Sequence, residues 1–336
     1  LVAILMKPLV HLSFGAAYRV WTGMTILLVL GSVLIVLRMC DVTFDGRLAL
    51  LLGVGLFSYI AFLDTLYNGQ IGGVILLLLT VGVWALSDDR MGLSAFCFAV
   101  ATLIKLTPVL AVPLFVFHRR WKWLIAYAAG LICLLIFSGW QAGWMIQNQF
   151  WHEVLPSISN GAPGFPNLSI VAFLREVSAV SLPLIESAPR ALQAHLSGIP
   201  RIVAFLAYLL VLGRCFLRRH QRALVTDVVI VGLVAIVVSP VAWRHHFTTA
   251  LLPFLYLGFR VPRKLYPLLI ALLIAVGTDI LVFVRALLPG PYVPAVLTAI
   301  VPGLTIALAY ALLAPSREMP PGPRKRSSEV RRFVDA

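Results

Sequence analysis

Charge is scarce in this chain: 12% of its 336 residues are charged and 61% are hydrophobic, where a soluble domain carries about 25% charged residues. That shortfall excludes a water-soluble globular domain and implies an integral membrane protein. Acidic residues are the rarest charged class, 13 Asp and Glu against 27 Lys and Arg. A formal net charge of +14 is compatible with nucleic acid, but the basic residues fall in short loops beside apolar runs, as orientation signals do. Nucleic-acid binding is therefore not expected. Cysteine is sparse too: Cys40, Cys97, Cys133 and Cys215 lie within or at the ends of apolar runs without paired spacing, which argues against a disulfide framework and a cysteine zinc site. No charged leader precedes the first apolar residues and position 1 is leucine, so the chain is expected to have lost its front.

What is abundant is apolar runs, about ten or eleven of them, separated by short polar breaks. Residues 20–37, 265–288 and 295–313 are the cleanest and reach the length of a spanning helix. The expected fold is all-α: a polytopic membrane domain over residues 1–314 with about ten or eleven membrane helices, short broken ones included, and a basic, disordered tail over 315–336. Arg38 with Arg47, Arg119-Arg120 with Lys122, Arg218-Arg219 with Arg222, and Arg260 with Arg263-Lys264 mark one side, which the positive-inside rule makes cytoplasmic. The tail, rich in arginine, proline and serine, is expected on that side, held to anionic lipid headgroups. The other side carries Trp140, Trp144 and Trp151, then Asn160-Gly161, Pro163-Gly164 and Pro166. Residues 138–200 read as a large external loop covering a site, with 167–177 as a short amphipathic surface helix. The protein is thus expected in a plasma (bacterial inner) membrane with its working face extracytoplasmic.

The basic residues also predict a broken helix. Arg90 and Arg119 both belong on the cytoplasmic side, yet one continuous span between them would put them on opposite sides. Two half-helices, residues 91–104 and 109–117, resolve the conflict if the chain turns at Lys105-Leu106-Thr107-Pro108, where proline disfavours helical geometry in the preceding residue. Irregular backbone at membrane depth is tolerated only beside protein or a water-filled cavity, so Lys105 is expected at the tip, facing a cavity. A single tilted helix with a snorkelling Lys105 is the alternative.

Three stretches carry polar chemistry. Asp64-Thr65-Leu66-Tyr67-Asn68-Gly69-Gln70 brings a carboxylate and two amides to one corner; these suit sugar hydroxyls, and equally suit a turn that only caps two helices. Ser239-Pro240-Val241-Ala242-Trp243-Arg244-His245-His246 lies between apolar runs, and a charge at bilayer depth costs about 2.5–3.5 kcal/mol, so it needs a cavity, partner or substrate. Arg244, His245 and His246 offer cationic donors to one anion, for which phosphate is the natural choice at a membrane. Adjacent helical residues point about 100 degrees apart, so only one histidine faces a ligand if the helix has begun. An interfacial aromatic and basic anchor is the competing reading. A metal is not expected, because adjacent histidines are poor zinc spacing. In the third stretch, His152 and Glu153 suit either a general base or a solvated pair. Outside these stretches, Asp279 is expected to pair with a cation such as Arg285, and Asn167-Leu168-Ser169 matches a glycosylation acceptor.

In order and spacing these pieces resemble the polyprenol-phosphate mannosyltransferase-like family, glycosyltransferase family 87, of multi-spanning C-type glycosyltransferase fold. The resemblance rests on Asn68-Gly69-Gln70, Lys105-Leu106-Thr107-Pro108, Arg119-Arg120-Trp121, the loop at 151–156, Asn167-Leu168-Ser169, and Ser239-Pro240 with Trp243 and His245. It implies transfer of a sugar, mannose or a pentose, from a polyprenyl-phosphate carrier to a glycan or glycolipid acceptor, inverting and without metal or cofactor. It also implies an acidic base in the first external loop. Leu1-Val2-Ala3-Ile4-Leu5-Met6-Lys7-Pro8 resembles the segment just after that loop, so the base is expected upstream of Leu1 and has no residue here. Carried over for the lipid phosphate are Lys105 and His245, with Arg244 and His246 beside them; Asn68 and Gln70 fall nearer the sugar, with Asp64, Asn167 and Trp243 lining the site. Asn167-Leu168-Ser169 departs from the commoner Asn-Gln-Ser. A transporter or flippase of a lipid-linked or anionic solute, and a non-catalytic scaffold, are the competing classes.

Overall fold

Helix ends in this chain are closed by backbone chemistry more than by glycine. The helices Phe14–Met39 (α1), Ile60–Tyr67, Gly72–Ser87 and Val112–Phe117 each finish with a left-handed residue: Asp41, Gly69, Asp89 and Arg119, at φ of 54, 57, 59 and 53°. In each, the next N–H reaches back to a carbonyl five residues earlier, Val42 to Leu37, Gln70 to Thr65, Arg90 to Ala85 and Arg120 to Phe115, at 2.8–3.0 Å. This closure satisfies carbonyls that the helix end leaves free. At the helix starts, Ser13 accepts from Ala16 N at 3.4 Å and Asp45 from Leu48 N at 2.7 Å.

The computed structural model describes residues 2–159, 167–181, 198–288, 290 and 293–314. The tail expected over 315–336, and the Asn160-Gly161, Pro163-Gly164 and Pro166 turns, lie outside them. After α1 come α2 (Gly46–Ser58), α3 (Ile60–Tyr67), α4 (Gly72–Ser87), α5 (Met91–Ile104), a 3-10 turn at Thr107–Ala111, α6 (Val112–Phe117) and α7 (Trp121–Ala142). Short helices over 144–159 lead to α8 (Ile170–Ser181), α9 (Ile199–Arg218), α10 (Leu224–Val238), a 3-10 turn at Arg244–Ala250, α11 (Leu251–Gly258), α12 (Tyr266–Gly277), α13 (Ile280–Leu287) and α14 (Val293–Leu312).

The protein is an all-helical membrane protein. Among the described residues, α1, α7, α9 and α14 are each long and apolar enough to cross a membrane alone. The count rises to six if the bent pairs, α2 with α3 at 61° and Arg263–Gly277 with α13 at 73°, are single spans. That is fewer than ten or eleven, because the other apolar helices, α4, α5, α10, Val2–His11 and Thr107–Phe117, are only 10–17 residues long. The run at 265–288, one span by hydropathy, is therefore broken at Thr278-Asp279. The two bends touch: a Cβ on Gly277 would stand 2.8 Å from the Tyr59 ring, and the Tyr59 hydroxyl donates to Phe247 O at 2.8 Å.

The expected half-helices are present, and their course is fixed by contacts. Phe115 in α6 stacks on Trp123 at a ring separation of 3.5 Å, Trp123 lies edge-on to Phe98 in α5 at 5.7 Å, and its indole N–H donates to Ser94 at 3.0 Å. Arg120 lies 3.9 Å from Asp89. The chain thus leaves at Arg90, turns at Lys105 and returns to the end it left. The same end gathers the other basic turns: Arg260 donates to Met39 O at 2.7 Å, and Arg222 donates to Leu312 O. Asp227 sits 3.5 Å from Arg222 and 3.6 Å from His118. Residues 167–177, expected as a surface helix, instead begin a packed one, for Leu168, Ile170, Val171 and Ala172 are buried, with Ile170 and Val171 in a cluster with Ala204.

Candidate functional site

At the opposite end, α3 and the Arg244–Ala250 turn are joined by hydroxyls inside an apolar setting. Thr65 and Thr248 share a hydrogen bond of 2.7 Å, Thr248 donates to Ala61 O at 2.8 Å, and Thr65 reaches His245 O at 3.2 Å. Gly72 allows this closeness, since a Cβ there would meet Thr65 at 3.3 Å and Thr248 at 3.5 Å. Buried hydroxyls without such partners would cost free energy, so the network fixes the turn that presents Arg244, His245 and His246.

Arg244 is committed to carboxylates. Its Nε lies 3.0 Å from Asp64 Oδ2 and its Nη2 3.5 Å from Asp64 Oδ1, and its Nη1 bonds Asp279. This corrects the expectation that Arg244 turns with the histidines onto one anion: two carboxylates already neutralise it. The cation of Asp279 is thus Arg244. Asn68 is a cap, its amide donating to Asp64 O at 2.9 Å, and Gly69 supplies the left-handed turn, its carbonyl accepting from Trp21 at 3.0 Å. The half-buried Gln70 makes no side-chain hydrogen bond among the described residues.

Lys105 and His246 come together. Both line a cavity of about 50 Å³, together with the hydroxyl side chains of Thr107, Ser239 and Thr249 and the apolar ones of Ile75, Val83, Phe98, Val228 and Leu252. Lys105 has no ion pair or hydrogen bond from its ammonium among the described residues. Nδ1 of His246 bonds Val241 O at 3.1 Å; a carbonyl only accepts, so Nδ1 carries the proton and Nε2 is the remaining nitrogen. The His245 ring stands edge-on to His246 at 4.5 Å and 88° but is absent from the cavity wall. Of the two adjacent histidines it is His246 that lines the cavity, whereas the resemblance pointed first to His245.

Asn167 is fully buried, as is Ser169. Ala242 N donates to Asn167 Oδ1 at 2.8 Å, Leu168 N donates to Ala242 O at 2.9 Å, and Ser169 Oγ donates to Pro240 O at 3.3 Å while accepting from Ala172 N at 3.0 Å. The triplet is a strap on the turn before Trp243, and its burial is incompatible with glycan attachment in the folded state. Trp243 is half-buried and its carbonyl accepts from His246 N at 2.8 Å. His152 and Glu153 are exposed; neither lines the cavity, and Glu153 accepts from Gln149 at 3.2 Å. Among the described residues no three His, Cys, Asp or Glu side chains converge as metal ligands. Sequence reasoning gave no role to Thr65, within the polar corner at 64–70, or to Thr248, just after the histidines, because nothing in either stretch shows that the two hydroxyls meet.

No curated protein and no solved structure matches the chain. The sequence model of glycosyltransferase family 87 matches residues 1–240, which include Lys105, the Asn167 strap and Ser239-Pro240 and end before Arg244. An all-helical membrane bundle with that match over most of its length belongs to glycosyltransferase family 87.

Proposed function

We propose that this membrane glycosyltransferase moves a sugar, mannose in the simplest case, from a polyprenyl-phosphate donor to a glycan or glycolipid acceptor on the extracytoplasmic side, with inversion. The basic end of the bundle is taken as cytoplasmic, so the Lys105 cavity opens outward, in a plasma membrane, and short helices complete the ten or so passes. The observation that carries this reading is an unpaired Lys105 sharing a cavity wall with His246. Family membership favours bond formation over transport of a lipid-linked or anionic solute.

The chemistry follows from charge. The donor is a phosphodiester, singly negative; when the acceptor oxygen attacks the anomeric carbon and the carbon–oxygen bond to phosphate breaks, the electron pair leaves with the lipid phosphate, which becomes a dianion. The Lys105 ammonium meets a charge that grows in the transition state, and such differential binding speeds reaction, while His246, its Nδ1 proton held by Val241 O, shapes the wall beside it. Arg244 holds Asp64 and positions the turn, Gln70 remains free to bond a sugar hydroxyl, and Trp243 offers its ring to the site. The base that deprotonates the acceptor has no assigned residue.

Removing one donor of this kind lowers rate by about 10²–10³, or about 2.7–4 kcal/mol. Lys105→Met is expected to lose transfer by that order while the protein still inserts, His246→Ala to lose less, and His245→Ala, off the cavity wall, less still. The assay incubates purified protein with radiolabelled polyprenyl-phosphate mannose and a panel of acceptors and follows label leaving the lipid fraction. Wild-type rates in Lys105→Met would end the assignment.

A further inference from the structure

The cavity is a shaft along one helix face, lined by two unlike sets of side chains. Its wall on α10 is the stripe Val228, Val229, Gly232, Ala235, Ile236 and Ser239, one face of a helix, running roughly 16 Å at 1.5 Å per residue. Ser239 ends this stripe, and Lys105, Thr107 and His246 share the wall with it; on α4, Leu79 and Val83 line the cavity deeper than Ile75, which is one turn from Gly72 and the Thr248 turn.

Gly232 is the one glycine in that wall, and its backbone is exposed although Val228, Val229, Ala235 and Ile236 around it are 2–7% exposed. A Cβ placed on it would meet nothing within 4 Å. Glycines that serve close packing here behave differently: a Cβ on Gly73 would stand 2.9 Å from Thr25, and one on Gly82 2.9 Å from Phe98. Glycine inside a helix lowers its stability relative to alanine, and no neighbour approaches Gly232 closely enough to require it. Its position leaves space in the shaft.

We propose that Gly232 is a specificity-determining residue: it keeps the inner limb of the shaft open for the apolar chain that follows the donor's phosphate, so the enzyme recognises a slender amphiphile with a compact anionic head. The inference rests on the reading of this cavity as the donor phosphate site. A cation at the mouth, apolar walls below it and a bare backbone midway match such a ligand in order along one axis.

The test uses the full chain, purified in detergent, and n-alkyl phosphates from methyl to decyl as probes. Protection of Lys105 from an amine-reactive reagent is read by peptide mass spectrometry. In the wild type, protection is expected to tighten about fourfold per methylene until the shaft is full, and then to level. Gly232→Leu is expected to match the wild type for methyl phosphate, to level several methylenes earlier, and to bind decyl phosphate at least tenfold more weakly. Gly232→Ala, which a helix tolerates, is expected to level about one methylene earlier and carries the test should the leucine variant not fold. Partition of the probe into detergent is common to all three proteins and cancels. A Gly232→Leu series that follows the wild type, or, where only the alanine variant folds, an alanine series that does, or a wild type indifferent to chain length, overturns the proposal. Failure of methyl phosphate to protect wild-type Lys105 overturns the phosphate reading itself.

Discussion

Asp227 gives the strongest single perturbation of stability. It is fully buried near the basic end, with Arg222 Nε at 3.5 Å and His118 Nε2 at 3.6 Å on its two oxygens. The Arg222 side chain is 4% exposed, so water screens the pair little. At an effective dielectric of 20, unit charges at 3.5 Å attract by about 5 kcal/mol, and removing one member of a buried pair costs about 3–5 kcal/mol because the other is left charged and dry. Asp227→Ala is therefore expected to lose about 3–5 kcal/mol in reversible unfolding from mixed micelles. Asp227→Asn, which keeps the shape, should lose nearly as much, since it is the charge that matters. The decisive variant is the double replacement Asp227→Leu with Arg222→Met, which removes both charges and should recover most of the loss. A loss below about 1 kcal/mol in Asp227→Ala, or no recovery in the double variant, would refute the argument. His118 closes α6, which continues the Thr107–Ala111 turn on the cavity wall, and Asp227 lies in the first turn of α10, which borders the same cavity, so Asp227→Asn is also expected to loosen Lys105 and raise its labelling.

Two further outcomes separate positioning from binding. Asn167→Ala strips Ala242 N of its acceptor inside the protein, which should cost about 1–3 kcal/mol and lower transfer, and peptide mapping of folded wild-type protein should find Asn167 unmodified. Arg244→Gln leaves Asp64 and Asp279 unpaired where they are partly exposed, 21% and 58%, so solvent screening holds the stability cost to about 1 kcal/mol or less, and transfer in a rate assay should fall less than in Lys105→Met.

The turn at Lys105 was legible in the sequence because it follows from counting. Arg90 and Arg119 could not share a side across one continuous span, Pro108 marked the place where the helix fails, and the 3.9 Å approach of Asp89 to Arg120 is what that argument requires. The bends at Tyr59 and Thr278 were invisible for the opposite reason. Hydropathy measures length and apolarity and carries no angle, and neither bend has proline at its hinge; each depends on the other through Tyr59 lying on Gly277. The same limit hid the fate of Arg244. Its partners are 180 and 35 positions away, and they reach it only because α3 and α13 lean over at those two bends. Once Arg244 is engaged there, the cationic corner read from adjacent residues divides: Arg244 is held by two carboxylates, and Lys105, from a hairpin far away in sequence, is the cation on the cavity wall. What local sequence reads as one motif is therefore two structural settings, an arginine paired with carboxylates and a lysine left without a partner on the cavity wall.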